Sequence, residues 1–450
     1  MTRSIDNRRM GGSAYTYSCI PGLSLTPYAK ASASMAHSVR IRFMARTKTE
    51  ISLWDNKQFI SLASARMISV LGNSFAQIAL GFAVLGLPGS GPLELSVVQG
   101  CLVLPQVVFI LPGGVIADKL PRPLIMVLSD ISAATAYLTV SSLILIRHSP
   151  LIVMCLLSLM AGTASALFAP AMSGVLPCLV PTAMLQRATG LLRVGTNSSL
   201  LLGFALAGIV VSWLGPGWAL FFDGVSFAIS ALLTAGIRHT KEPVPSRTIF
   251  VDLKEGWSEF SSRQWLWVVV TQYAFVVAAV NSNAGVLGPL AAKQYLGGAR
   301  PWSFLVGAKA LGTISGAGIA ASIRVRRPIL VAVLATFPAA LPIALLGLHA
   351  SLLALVCTMF IAGLASDIFG VLWTTTMQSE VPEKALSRVS AYDWFSSLLL
   401  APVGLMLAGP IANAVGVEPT LLGCALIIVT ATSAALLSPE VRKKGISQTE

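Results

Sequence analysis

The sequence predicts an all-α polytopic membrane protein in which twelve transmembrane helices form two pseudo-symmetric six-helix bundles. Composition is the first reason: 55% of the 450 residues are hydrophobic and only 11% are charged, whereas soluble proteins average about 25% charged residues. The second reason is a series of long apolar stretches, each close to the roughly 20 residues that cross about 30 Å of hydrocarbon. The third reason is an internal repeat.

The apolar stretches are predicted to be helices, because hydrocarbon offers no water and every backbone polar group must be satisfied within the protein. The alternating ten-residue pattern of membrane-spanning strands is absent from the sequence. In chain order the predicted spans are 58–86, 94–117, 123–146, 151–178, 184–213, 218–237, 264–291, 301–323, 328–348, 351–377, 389–413 and 419–438.

The basic residues predict how these spans are oriented. Most of the 31 Lys and Arg residues lie in connections on the amino-terminal side of the membrane, whereas the other side holds only Arg147, Lys293 and Arg300. Because cytoplasmic loops carry the excess of Lys and Arg, we expect a multi-pass protein of the cell membrane with both termini in the cytoplasm. The net charge of +13 then reflects topology and contact with anionic lipid, and no nucleic-acid partner is expected.

The longest polar connection divides the chain into halves. Pro243 and Pro245 break any helix at its start, and "TIFVDLKEGWSEF" (248–260) predicts a short amphipathic helix at the membrane surface. Residues 1–53 are polar, and we expect a disordered or mis-annotated extension, with Met44 as the expected start. The predicted organisation is an extension (1–53), a first bundle (54–237), a cytoplasmic linker (238–263), a second bundle (264–438) and a cytoplasmic tail (439–450).

Two pairs of similar segments support this division. "GGVIADKLPRP" (113–123) has a counterpart in "GIAASIRVRRP" (318–328), and "LVPTAMLQRATG" (179–190) has one in "EVPEKALSRVSA" (380–391). Both pairs fall in equivalent connections at nearly equal offsets, which indicates a duplicated six-helix unit. In proteins built from such repeats the substrate site lies near the membrane midplane between the halves.

The segment "GGVIADKLPRP" resembles the signature of the loop between the second and third helices of the major facilitator superfamily. Its Gly114, Asp118, Lys119 and Arg122 match the signature, and proline replaces the usual glycine at 121. "LPQVVFILPGGVIAD", "LFAPAMSGVLPCLVP", "FAISALL" and "VLWTTTMQSEVPEKALSRVSA" are similar to the bacterial branch that contains macrolide and enterobactin exporters. The resemblance covers most of residues 54–440 and implies the major facilitator fold.

The resemblance implies a conformational latch in this loop, in which the aspartate docks the first half against a helix of the second. Gly113 and Gly114 would permit close helix approach, and the second copy of the segment has Ile323 where Asp118 would fall. A solvated turn is the alternative, but it accounts for the two basic residues and not for the acid. The expected latch residues are Gly113, Gly114, Asp118, Lys119 and Arg122.

Asp367, in "AGLASDIFGVLW", lies deepest in the membrane among the acids of the chain. An ionised aspartate at that depth costs several kcal/mol, so it is a candidate for proton coupling. Arg66 and Lys309 are the two cations within predicted spans and are its candidate partners. Local hydrogen bonding of the acid and snorkelling of the cations are the alternatives. A mostly structural role is expected for Asp130, Asp223 and Asp393.

The family's antiporter motifs are incomplete here. The fourth span lacks the arginine that many proton-coupled members carry, and "GFALAG" (203–208) has Phe204 where the fifth-span signature has proline. By the resemblance, spans 1, 4, 7 and 10 line the substrate cavity, although helix packing and interhelical hydrogen bonds are alternative roles. The expected cavity residues are Asn73, Gln77, Phe168, Gln272, Asn281, Asn283 and Trp373.

Other classes of protein lack their sequence signals. An ATP-driven pump needs G-x-x-x-x-G-K-[ST], which is absent, and no G-x-S-x-G nucleophile elbow occurs either. The six cysteines are scattered without C-x-x-C spacing, so no metal site is expected. We expect a monomeric, non-enzymatic exporter of an amphipathic or hydrophobic drug or secondary metabolite, driven by a proton or other ion gradient without a cofactor. An uptake carrier for a nutrient or metabolite, or a sensor on the same fold, are the alternatives.

Overall fold

A computed structural model describes residues 53–109, 120–181, 184–237, 257–322 and 325–443. Residues Met1–Asp55 form one unit, of which the structure describes a 3₁₀ turn at Leu53–Asp55. Residues Asn56–Glu450 form the second unit, which holds all the long helices described below. Most of the predicted amphipathic segment 248–260 lies outside the described residues.

Twelve helices of the described residues are long and apolar enough to cross a membrane, and no strand occurs in the same ranges. The prediction of a twelve-helix, all-α membrane fold is therefore confirmed. The helices are α1 (Lys57–Leu85), α2 (Pro92–Phe109), α3 (Arg122–Leu145), α4 (Leu151–Leu179), α5 (Leu185–Trp213), α6 (Pro216–Ala235), α7 (Gln264–Leu296), α8 (Ala299–Ser322), α9 (Pro328–Gly347), α10 (Leu352–Glu380), α11 (Tyr392–Val415) and α12 (Val417–Leu436).

Polar caps and glycines place the helix ends. The side chain of Asn56 accepts hydrogen bonds from the backbone N–H groups of Gln58 and Phe59, both at 3.1 Å, and so satisfies donors that the first turn of α1 leaves free. The turns between α5 and α6 and between α11 and α12 contain Gly215 (φ 93°) and Gly416 (φ 99°). Only glycine adopts such angles without strain, so these short helical hairpins depend on it.

The two halves pack their helices in the same way. In the first half α1 packs on α5 and α6, α3 on α4 and α6, and α2 on α4; in the second half α7 packs on α11 and α12, α9 on α10 and α12, and α8 on α10. Close approach depends on small residues: a methyl group on Gly162 of α4 would lie 2.1 Å from the carbonyl oxygen of Leu102, and one on Gly363 of α10 would lie 2.0 Å from that of Lys309. These matching contacts are those expected of a duplicated bundle.

Three helices of the second half are irregular, and one of them, α11, is interrupted at Leu400 between the segments Glu383–Leu399 and Ala401–Val415. The last part of α7 contains π-helical segments at Asn283–Leu287 and Ala292–Leu296, and α9 changes to a 3₁₀ turn at Phe337–Ala339, where Pro338 removes a backbone donor. The expected end of the seventh span at residue 291 is therefore short by about one helical turn. Such segments are frequent at functional sites.

Large apolar side chains cover the outside of the bundle. Ile152, Leu232 and Leu353 are each at least 73% exposed, and they belong to three different helices. A large exposed apolar surface is rare on soluble monomers. The hydrocarbon of a membrane provides the environment that this surface requires.

Candidate functional site

A cavity with two lobes lies between the halves. The larger lobe, of about 670 Å³, is lined mainly by α7 to α11 and is called the C-lobe. The smaller lobe, of about 420 Å³, is lined mainly by α1 to α4 and is called the N-lobe. Gln77, Asn281 and Trp302 line both lobes. These volumes are in the range of small-molecule sites.

The halves meet at the end of the bundle where α1 ends and α2 begins, which we call the hairpin face. A methyl group on Gly409 of α11 would lie 2.2 Å from the carbonyl oxygen of Pro92 and 2.3 Å from Oγ of Ser96, both on α2. One on Gly208 of α5 would lie 1.8 Å from Oγ of Ser303 on α8. The two contacts are equivalent under the repeat, since "GFALAG" (203–208) and "GLMLAG" (404–409) hold the two glycines at the same place.

Polar contacts reinforce this closure. The ammonium of Lys293, near the end of α7, donates to the carbonyl oxygen of Leu85 at the end of α1. Deeper in the bundle, the amide of Gln99 on α2 donates to the carbonyl oxygen of Gly285 on α7 at 3.2 Å. The cavity therefore lies behind a closed hairpin face, and its lining extends toward the opposite end, the terminal face, where α1 begins and α12 ends.

An acidic and a basic side chain line the N-lobe. Asp130 of α3 is 1% exposed, and its Oδ2 accepts a hydrogen bond from Ser230 of α6 at 2.6 Å. The guanidinium of Arg66 on α1 interacts electrostatically with Asp130 and lies 5.5 Å from the ring centroid of Phe168 on α4. These two charged groups together interact with side chains on four helices of the first half.

The C-lobe is mostly apolar and aromatic. The rings of Tyr273 and Phe369 stack at 4.3 Å between centroids, and Phe369 stacks in turn on Trp373. The indole N–H of Trp373 lies 3.2 Å from each carboxylate oxygen of Asp393, which also bonds Ser397. An acid is therefore held at the edge of an aromatic wall.

Among the residues that the structure describes, Lys309 of α8 is the one cation that lines the C-lobe. Within the described residues its ammonium makes no hydrogen bond and no ion pair. Asp393 is the only acid in the described part of the chain that lines the same lobe, and it is hydrogen-bonded elsewhere. The lobe therefore contains one cation without a counterion.

The structure places six of the seven expected cavity residues on the cavity wall. They are Asn73, Gln77, Phe168, Asn281, Asn283 and Trp373. Gln272 lies elsewhere, because its side chain points from α7 toward α9 and α12, where it donates to Thr336 and Thr432, both at 3.0 Å. The position of Gln272 around the helix axis explains its orientation, because the face of α7 that lines the lobe contains residues 273, 276, 277 and 280 and does not contain 272.

Asp367 does not line either lobe. On α10 the cavity face is formed by residues 366, 369, 370 and 373, whereas Asp367 packs against α8, where a methyl group on Gly316 would lie 3.0 Å from its Cβ. Its charge interacts with Arg193 of α5, in the other half. The expected partners of Asp367 are thus not its partners here: the acid that acts on Arg66 is Asp130, and Lys309 has no acid beside it among the described residues.

Most of the expected latch lies outside the described residues, namely Gly113, Gly114, Asp118 and Lys119. Arg122 begins α3, and its Nη1 donates to the carbonyl oxygen of Gly174 on α4 at 2.7 Å. This bond joins two helices of the same half at the terminal face.

Sequence reasoning assigned Asp130 and Asp393 a mostly structural role, yet both line the cavity. A signal for Asp130 was available, since Asp130, Ala133 and Tyr137 recur at helical spacing and all three line the N-lobe. Asp393 had no such signal, because the indole that binds it is twenty residues away on another helix.

Comparison with known proteins identifies the family. The sequence model of the Major Facilitator Superfamily matches residues 62–398. The chain is 27% identical to the uncharacterized MFS-type transporter YfiS of Bacillus subtilis (83% of this chain, 92% of the relative) and 24% identical to the multidrug efflux pump Tap of Mycolicibacterium fortuitum (84% and 95%). It is 22% identical to macrolide efflux protein A of Streptococcus pyogenes (86% and 97%).

A solved structure has the same fold. The nucleoside transporter NupG superposes with a TM-score of 0.66 at 14% identity, covering 86% of this chain and 99% of that protein. The matched family model spans most of the helices that surround the cavity. The chain belongs to the Major Facilitator Superfamily and is a membrane transporter.

Proposed function

We propose that this transporter exports amphipathic or hydrophobic small molecules, such as a drug or a secondary metabolite, across the cell membrane by alternating access. The observation that carries the proposal is the C-lobe, a cavity of about 670 Å³ between the halves with a mostly apolar and aromatic wall. Such walls with a few polar groups are typical of sites for drug-sized ligands. Two relatives with matching length are an efflux pump for multiple drugs and a macrolide efflux protein.

The orientation follows from charge. Because Lys and Arg are concentrated in the connections at the terminal face, that face is assigned to the cytoplasm, together with both chain ends. The closed hairpin face then points outward, and the cavity receives substrate from the cytoplasm or from the inner part of the bilayer. Export follows when the contacts at the hairpin face separate and those at the terminal face form.

Proton coupling is assigned first to the N-lobe. Protonation of Asp130 would remove the negative partner of Arg66, and an unpaired cation in a low-dielectric cavity is unfavourable. Proton binding would thus change the relative free energies of the two conformations, which is what coupling requires. Asp367 is a second candidate, because the charge of Arg193, on α5 in the other half, acts on it and this effect would change as the halves move.

The same proposal treats the protein as a monomer that works without a bound cofactor. Its test compares strains that lack or overproduce the transporter. Overproduction should raise resistance to members of a panel of hydrophobic toxic compounds and lower the accumulation of a labelled member, and collapse of the proton gradient should abolish both effects. Unchanged resistance together with increased accumulation would contradict export and favour an uptake carrier.

A further inference from the structure

We propose that Lys309 is a substrate-binding residue that selects hydrophobic molecules carrying one anionic group, such as a carboxylate. The inference rests on the proposed transport of hydrophobic molecules and specifies their chemical class. It is carried by the charges that line the cavity, by the position of the lysine on its helix, and by the wall that surrounds it.

Among the described residues, four charged side chains line the two lobes, and three of them have a bonded or electrostatic partner. In the N-lobe, Asp130 accepts a hydrogen bond from Ser230, and the Arg66 guanidinium lies over the ring of Phe168 and is attracted by the charge of Asp130. Asp393 accepts hydrogen bonds from Trp373 and Ser397. Only the ammonium of Lys309 has no acceptor or acid within the described residues.

The position of Lys309 prevents its charge from reaching water at the membrane surface. The residue follows the start of α8 by ten positions, about 15 Å at 1.5 Å per residue, which is farther than a lysine side chain extends. At this position α8 packs closely on α10, because a methyl group added to Gly363 of α10 would lie 2.0 Å from the carbonyl oxygen of Lys309. Its neighbours in helical phase, Val306 and Thr313, line the same lobe.

A charge held at this depth is unfavourable unless it is paired or hydrated within a cavity. An anionic group on the substrate would supply the missing partner, and a charge-assisted hydrogen bond is stronger than a neutral one. A substrate cation would instead meet repulsion from Lys309. The carboxylate of Asp393 in the same lobe would oppose a second anionic group, which restricts the class to monoanions.

The remaining wall indicates the rest of the molecule. The rings of Tyr273, Phe369 and Trp373 pack on one another along the wall, and Trp302 adds a further ring to the lining. Aromatic ligands gain from such a lining, because edge-to-face and offset ring contacts add to the area that they bury. The structure thus favours an aromatic or polycyclic body with a single carboxylate.

Binding of three matched probes to the purified transporter tests this inference: pyrenebutyrate, its uncharged methyl ester, and pyrenebutylamine. Fluorescence titration in nanodiscs at pH 7 should show that the acid binds about ten- to a hundredfold more tightly than the ester, the amount expected for a hydrogen bond to a charged group. The amine should bind most weakly. Lys309→Met should abolish the preference for the acid and leave ester binding unchanged, whereas Lys309→Arg should retain it.

Lys57→Met is the matched control, since it removes an exposed lysine at the start of α1 and should not alter the preference. Three results with the unmutated protein would overturn the inference. They are equal binding of the acid and the ester, tighter binding of the amine, and no saturable binding of any probe. A preference that persists in Lys309→Met would also overturn it. Selective binding of the acid combined with no export from cells would refute the proposed function and leave the site assignment intact.

Discussion

The contact between α2 and α11 should control which conformation the transporter adopts. Replacing Gly409 with alanine adds a methyl group that would lie 2.2 Å from the carbonyl oxygen of Pro92. Backbone atoms cannot rotate away as a side chain can, so the two helices must separate. Overpacking of this kind costs about 1–3 kcal/mol, and the cost applies only to the conformation in which the hairpin face is closed.

The expected shift follows directly from that cost. A penalty of about 1–3 kcal/mol on one of two states changes their ratio by about five- to 150-fold. The matched control is Gly423→Ala on α12, where an added methyl group meets no atom within 4 Å. Because both substitutions place alanine within a helix, their difference isolates the effect of the contact.

The assay is a distance measurement between spin labels. Leu93, near the start of α2, and Val415, at the end of α11, are exposed and can be replaced by labelled cysteines after the six native cysteines are changed to serine. In Gly409→Ala the distance distribution should move toward longer values, and in Gly423→Ala it should not. An unchanged distribution in Gly409→Ala would refute the argument that close packing at this glycine holds the face closed.

Three further outcomes are expected. Asp130→Asn should abolish proton-driven transport in liposomes while substrate binding persists, because Arg66 loses its negative partner; transport that still follows the pH gradient would exclude the N-lobe from coupling. Asp367→Asn should also abolish coupled transport while the protein still reaches the membrane, and full activity across pH would remove this acid from the proton path. Gln272→Leu should lower the free energy of unfolding by about 1 kcal/mol, since it removes two interhelical hydrogen bonds of about 0.6 kcal/mol each, without changing probe affinity; a large loss of affinity would place the amide in the binding site.

The spans were predictable because their signal is local. Twenty apolar residues in a row identify a membrane helix whatever its neighbours are, and the span ends that fall on described residues lie within several residues of their expected positions. The expected end of the second span, at 117, lies outside the described residues. The π-helical segments of α7 and the 3₁₀ turn of α9 were not predicted. These irregularities depend on how each helix packs against its neighbours, and apolar composition carries no information about it.

For the site residues, the sequence predicts the distance from the membrane surface but not the helix face on which each residue lies. The sequence indicates how far a residue lies from the membrane surface, which is why Asp367 was selected. The face of a helix on which a residue lies depends on helix phase, and Asp367 and Gln272 both fall on faces turned toward other helices. Pairing between distant helices, as between Trp373 and Asp393, requires the tertiary structure.

The two lobes of the cavity have diverged since the duplication that produced the halves. The proposed proton site lies in one half and the proposed substrate cation in the other, and neither has a charged counterpart at the equivalent position of the opposite repeat: Asp130 corresponds to Ala335 or its neighbours, and Lys309 to Leu102 or its neighbours. A mutation in the C-lobe can therefore change what is carried without altering the source of energy. Selection for resistance to new compounds should accumulate substitutions on α7 to α11 and spare the N-lobe pair.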